Sequence, residues 1–542
     1  MANNNTLIRG TMMLTAATFL SKILGMIYVI PFNALVGSAG GTLYAFAYTP
    51  YNILISISTV GVPLAVSKFV AKYNSLGDYE TGIRIYKTGL GLMLATGFLA
   101  FLALFFSADV LAHQMISEKS TSGISVDDIA MVLRLISFAL IIIPAMSLSR
   151  GFFQGYQSMG PTAISTVVEQ IVRIIFLLCA AFIILKVYNG SIALAVGYAT
   201  FAAFIGALAS CIVLWVYWRK RKSYIEEQRS KQETVQKLPL KPLFKELLMY
   251  AGPFVLVGLA TPLYQLVDQF TFERAMVAIG ESKVFEIYYS AINFYGHKLV
   301  LIPVTLATGL SLAIIPAMTK TFTAKNQAGL HKQITQALQV IIVLVVPAAA
   351  GLAMLSESAY GSLFGMKNIA LTGSVLAWYA PVALLFALFT VSAAILQGIN
   401  QQGYAVVSLS AGLLMKIIFN IQLIHIFGAK GAIFGTALAV GTAVVLNLLR
   451  IRKSVSYSYE PIFKMTLLVL LFSLIMSIVI FIVKLVIGLV LPVHTSHFAE
   501  IIVLLAGVGI GGIVYLYLGY KSTLLQRVLG DRVNILSRVF GK

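Results

Sequence analysis

From about residue 7 to about residue 520 the chain is an almost unbroken succession of apolar runs, each about twenty residues or longer, joined by short polar connections. A helix needs ~20 apolar residues to cross the ~30 Å of bilayer hydrocarbon, so each run is a transmembrane-helix candidate. About fourteen such helices are expected, the first two over 7–35 and 42–72. With 59% hydrophobic and 11% charged residues, no water-soluble surface could be assembled. The fold class is therefore an all-α polytopic membrane protein. Cys179 and Cys211 both fall inside apolar runs, which fits packing rather than a disulfide or metal site. The N-terminus lacks a basic stretch followed by a small-residue cleavage site, so the first apolar segment is expected to be retained as an anchor.

A net charge of +20 invites a nucleic-acid reading, but the cations sit in connections between apolar runs rather than on an aromatic-interleaved face. Alternate connections carry Lys68, Lys72, Arg84, Lys87, Arg150 and Arg219 to Lys222, and later Arg450, Arg452 and Lys453. By the positive-inside rule that side is cytoplasmic, both termini lie on it, and anionic lipids are the expected contact. No nucleic-acid partner is expected.

The segmentation implied is an N-lobe of six helices over 1–218, a charged linker over 219–243 and a C-lobe of six helices over 244–453. Two further helices follow over 454–521, then an amphipathic tail over 522–542 suited to the inner leaflet. The lobes look duplicated. Gln154-Gly155, Gly160, Ser165 and Arg173-Ile174-Ile175-Phe176 recur as Gln397-Gly398, Gly403, Ser408 and Lys416-Ile417-Ile418-Phe419 at a constant offset of 243. Both copies occupy helices of the same direction, which makes the lobes parallel repeats about an axis along the membrane normal.

Charges inside the apolar runs mark the candidate site. Lys298, in Asn293-Phe294-Tyr295-Gly296-His297-Lys298, lies about 20 Å into its helix at the helical rise, near the bilayer midplane. Lys22 is similarly deep in the first helix. A charge at that depth costs at least ~2.5–3.5 kcal/mol unless it faces a partner or a wet cavity. Each lysine either pairs with a buried acid or forms part of a site for an external anion, and the scarcity of membrane acids favours the second. Ser21, Asn293 and His297 are the polar neighbours expected to share it. Glu169 and Arg173, at i,i+4, are expected to pair as a structural unit. Lys416 has Gly412 at i−4, so its partner must come from elsewhere. Lys416, Asn420 and the mid-depth acid Asp268 are candidates for ion coupling, although Asp268 could instead bridge to Lys298 or Lys416.

No phosphate-binding Gly-rich loop, metal-spaced His/Cys cluster or nucleophile elbow is present, so neither cofactor nor metal is expected. Energy would come from the membrane potential or from Na+ or H+. Asp127-Asp128 could hold a metal in a membrane glycosyltransferase, but acids at a helix start complement its dipole. Proline at positions 50, 144, 303, 316 and 347 supplies kinks suited to rocking motions.

The two six-helix lobes with a C-terminal pair, the Gln-Gly repeats and Ser21-Lys22-Ile23-Leu24-Gly25 resemble the multidrug/oligosaccharidyl-lipid/polysaccharide exporter superfamily. Within it, the chain resembles the MurJ-type lipid II flippases and related polysaccharide and sporulation proteins. Ser21-Lys22 stands where that family has Ser-Arg, and Lys298, five residues before Pro303, stands where it has an arginine. Lysine keeps the charge and loses the bidentate fork. Tyr28 and the region of Ile55 replace two further family arginines. The resemblance implies a transporter in the bacterial cytoplasmic membrane, not an enzyme. It would move lipid II, a pyrophosphate-linked disaccharide-pentapeptide on a polyprenyl chain, outward by alternating access of a cationic interlobe cavity, in the company of cell-wall synthesis machinery. Another undecaprenyl-pyrophosphate glycan as cargo, export of cationic drugs, and glycosyl transfer are the alternative readings.

Overall fold

A computed structural model describes residues 4–59, 62–117, 123–230, 256–492 and 496–529. Every regular element among them is helical. The N-terminal helices are α1 (Asn4–Ile27), α2 (Val29–Thr59), α3 (Val62–Ser75), α4 (Tyr79–Met115), α5 (Val126–Ser137), α6 (Ala139–Gly155), α7 (Met159–Phe182) and α8 (Ile192–Ser230). They are followed by α9 (Ala260–Ala278), α10 (Phe285–Ser290), α11 (Gly296–Thr323), α12 (Gln327–Met354), α13 (Ser356–Phe364) and α14 (Ile369–Tyr379). The remainder are α15 (Val382–Gly398), α16 (Gln402–Phe427), α17 (Lys430–Val455), α18 (Glu460–Val490), α19 (His497–Lys521) and α20 (Leu524–Leu529).

Twelve spans among the described residues are long and apolar enough to cross a membrane. The first, Met12–Thr59, is too long for one crossing at 48 residues. It is divided by Gly37, whose φ of 63° lies in the left-handed region that a side chain disfavours. The expected first helix over 7–35 is thus α1 carried into the first turns of α2, and the second is the rest of α2 with α3. Helix α9 is 19 residues long but carries Asp268, Gln269, Glu273 and Arg274, which lowers its hydropathy. Counting both brings the total to about fourteen.

Residues group into two compact units, Met1–Phe270 and Thr271–Lys542. The division falls inside α9 rather than in the charged stretch expected to link the lobes. The first part of that stretch is not a linker at all, because α8 continues to Ser230. Its polar extension is anchored by Ile225, which packs with Val66, Phe69 and Phe152, and by bonds from Arg221 to Ser158 and Arg229 to Glu80. Charge density alone suggested solvated coil; one apolar residue, one hydrogen bond and one ion pair keep the backbone helical. Residues 231–243 and the tail beyond 529 lie outside the described residues.

In the first unit α7 packs along α1 and α8, and α4 along α5 and α6. Asp128 closes a capping box at the start of α5: the Ser125 hydroxyl accepts from the Asp128 amide at 3.1 Å, and the Ser125 amide donates back to its carboxylate at 3.0 Å. In the second unit α11 packs on α15, and α16 on α17. The last two long helices rest on α12 and α13. Tyr515 donates to the Val343 carbonyl at 2.8 Å, and Lys484 pairs with Glu357 at 2.8 Å.

The duplication has a structural basis. Gly155 and Gly398 both sit where a Cβ would collide with a neighbouring helix, 2.7 Å from Val70 Cβ in one unit and 2.7 Å from Met318 Cβ in the other. Three residues beyond Gln154 and Gln397, Gln157 and Asn400 adopt φ of 54° and 57° and end their helices. Next in line, Ser158 accepts from Arg221 and Gln401 from Arg450. The repeated sequence therefore encodes a repeated close crossing and helix stop, and in each unit an arginine outside the repeat clasps the residue after the stop.

Candidate functional site

The expected second helix of the C-lobe is not continuous α-helix. Between α10 and α11, residues Ala291–Tyr295 form a π turn. Gly296 permits it: a Cβ there would lie 2.2 Å from the Ala291 carbonyl oxygen. A π turn inserts one extra residue and so rotates everything after it, a device common at functional sites. Asn293 lies within the turn and is buried. Lys298 follows it, half-buried, with its ammonium 5.9 Å from the centre of the Phe294 ring.

His297 points elsewhere than expected. Its Nδ1 is 2.7 Å from the Tyr379 hydroxyl, its ring stacks on Tyr379 at 23°, and Phe386 meets it edge-on. It is a packing residue that joins α11 to α14 and α15, not a group open to a ligand. Both Lys298 and Lys416 lie close enough to act electrostatically on its ring.

Lys416 is fully buried on α16 and donates to the Thr436 hydroxyl of α17 at 2.7 Å. One turn on, Asn420 is also fully buried and donates to the Thr271 hydroxyl at 2.7 Å. Their approach to α17 is allowed by Gly435, whose absent Cβ would stand 2.4 Å from Asn420 Oδ1. Asp268, on α9, is buried within the first unit. In that unit Lys22 is exposed on α1, with Ser21 half-buried beside it. No hydrogen bond or ion pair holds Lys22 among the described residues.

The Glu169–Arg173 pair does not form. Glu169 instead accepts from Arg150 at 2.7 Å, and Arg150 also donates to Ser165 at 2.9 Å and Ser210 at 2.8 Å. Arg173 turns toward α2 and donates to the hydroxyls of Tyr44 at 3.0 Å and Tyr48 at 2.6 Å. Arg150 meets the Glu169 carboxylate with one charge-assisted bond and is itself held in place by the two serine hydroxyls, an arrangement a single local i,i+4 partner would not provide. Arg150, expected in a cytoplasmic connection, is instead the hub of this network. The signal was there in Ser165, a member of the repeat. Arg173 and Lys416, equivalent by the repeat, do share a role: each brings a cation to the hydroxyls of a neighbouring helix.

Among the described residues no group of three or more His, Cys, Asp or Glu side chains could hold a metal. Within the second unit Lys298 is a half-buried cation, a group suited to pairing with an anion.

The chain is similar to known proteins over most of its length. Residues 7–322 match the polysaccharide biosynthesis protein family. The chain is 45% identical over 529 residues, 97% of each protein, to the Bacillus subtilis protein named lipid II flippase MurJ. It is 26% identical over 81% of its length to stage V sporulation protein B of the same organism, covering 82% of that protein. Among solved structures it resembles a lipid II flippase MurJ in an inward closed conformation, with a TM-score of 0.64 at 18% identity, over 96% of this chain and 99% of that one. An inward-facing multidrug resistance MATE family transporter aligns with a TM-score of 0.61 at 15% identity, over 80% and 98% of the two chains. The chain thus belongs to the polysaccharide biosynthesis protein family and, by its 45% identity over nearly all of both chains, to its MurJ-type members.

Proposed function

We propose that this protein carries lipid II from the inner to the outer leaflet of the bacterial cytoplasmic membrane, with both chain termini on the cytoplasmic side. The observation that carries the reading is the 45% identity, over 97% of both chains, to a protein named lipid II flippase. The physical chemistry supports it. A diphosphate with sugars and peptide cannot cross hydrocarbon unaided, and Lys22 in the first unit and Lys298 in the second are each a candidate cation for its oxygens. The π turn ahead of Lys298 and the prolines Pro303 and Pro316 within α11 give that helix places to bend during alternating access. An inside-negative potential favours outward movement of an anion by ~2.3 kcal/mol per charge per 100 mV. The potential, or Na+ or H+ coupled through Asp268, drives the cycle in this reading.

The test is replacement of the native protein by Lys298→Ala or Lys22→Ala in a strain without redundant flippases, with lipid II tracked between leaflets. Each variant should insert normally and leave lipid II on the inner leaflet. Normal outer-leaflet lipid II in either strain removes that lysine from the headgroup site. An unchanged distribution on depletion of the whole protein removes lipid II as the cargo.

A further inference from the structure

At the end of α17 the chain turns through Ser456, in the left-handed region at φ 52°, into α18. The turn borders an open hollow of about 870 Å³. We propose that this hollow binds the phosphate of an anionic phospholipid, whose acyl chains run along the exposed apolar faces of α17 and α18.

Two cations line the hollow. Arg452 and Lys453 are both exposed, and neither makes a hydrogen bond or ion pair among the described residues. They cover the partial negative charge at the C-terminus of α17 and leave a net positive site. The acid on the rim, Glu460, is offset by Lys464 at 2.7 Å. The floor is rigid. Tyr457 is buried and its hydroxyl lies 2.6 Å from that of Thr335, while Tyr459 donates to the Leu448 carbonyl at 2.8 Å, and the two rings meet edge-to-face at 5.0 Å. His331 is fixed to the Val455 carbonyl at 2.7 Å beneath the turn. The cations are thus held over a preformed surface rather than on a loose loop.

The walls decide between a lipid and a soluble anion. Leu449 and Phe463, one from each helix, flank the hollow and are 55% and 73% exposed. One turn deeper on the same helices, Val445 and Leu467 are also exposed. Two apolar tracks therefore lead from the cationic hollow along spanning helices into hydrocarbon. A soluble phosphate gains nothing from them, whereas a phospholipid uses both ends of the site.

The proposal does not depend on the cargo. In the purified full-length wild type, a phosphatidylglycerol with a photoreactive headgroup should cross-link within residues 449–463; cross-linking confined to other segments overturns the proposal. Retention of phosphatidylglycerol, read by native mass spectrometry, should fall about five-fold for each cation removed in Arg452→Gln and Lys453→Gln. It should also fall in Phe463→Ser, which keeps both cations, while Arg219→Gln should bind as wild type. Equal retention in the cation variants refutes the site, and full displacement by inorganic phosphate reassigns it to a soluble anion.

Discussion

Arg150 is the residue whose removal should report most directly on how this membrane interior is held together. Its guanidinium makes three side-chain bonds of 2.7 to 2.9 Å, and the Arg150 and Glu169 side chains are only 16% and 20% exposed. Breaking a buried pair by deleting one partner costs ~3–5 kcal/mol, because the other charge is stranded. The residual exposure lets water reach Glu169, so Arg150→Met should cost about 2–3 kcal/mol. Glu169→Gln keeps shape and removes the charge, so the double variant should recover about 1–3 kcal/mol relative to the sum of the single effects. The same cycle between Arg173→Met and Glu169→Gln should be additive within ~0.5 kcal/mol, since Arg173 spends its donors on Tyr44 and Tyr48. Unfolding in mixed detergent micelles can be followed by Trp215 and Trp218, which lie in the same unit. A larger coupling to Arg173 than to Arg150 would refute the pairing and restore the local i,i+4 arrangement.

Two further outcomes follow from absent side chains. Gly296→Ala places a Cβ 2.2 Å from the Ala291 carbonyl, so it should destabilise by ~1–3 kcal/mol and impair translocation by disturbing the turn that orients Lys298. Gly309→Ala in the same helix meets nothing within 4 Å and should stay within ~0.5 kcal/mol of wild type. Among the repeat glycines, Gly155→Ala meets Val70 and the Ser67 carbonyl at 2.7 and 2.9 Å and Gly398→Ala meets Met318 at 2.7 Å, so both should lower thermal stability. Gly403→Ala, with open space around it, should be neutral or stabilise by up to ~1 kcal/mol through helix propensity. Equal effects at all three would undo the reading of the repeat as a close helix crossing.

The two units also differ at the duplicated cation. Arg173 is half-buried among tyrosines, whereas Lys416 is fully buried against Thr436. The duplicated position therefore presents a planar guanidinium to two hydroxyls in one unit and a single ammonium to one hydroxyl in the other.

Residue order alone determined that the chain is a bundle of about fourteen membrane helices, that its halves are duplicated, and that Lys22 and Lys298 sit deep in their runs. These properties are local: run length is set by bilayer thickness, and depth is a count of residues at a fixed rise. The family resemblance rests on them. Tertiary structure decided the partners. Whether Glu169 meets Arg173 or Arg150, and whether His297 faces a ligand or Tyr379, depends on how each helix is rotated and what crosses it. Neither quantity is carried by spacing along one helix. The π turn at Ala291–Tyr295 shows why: one residue out of the α register re-aims everything after it, with Gly296 as its only local mark. The helical extension of α8 was hidden for the same reason, since its charges read as solvated coil until Ile225 and the two arginine contacts are seen against their neighbours.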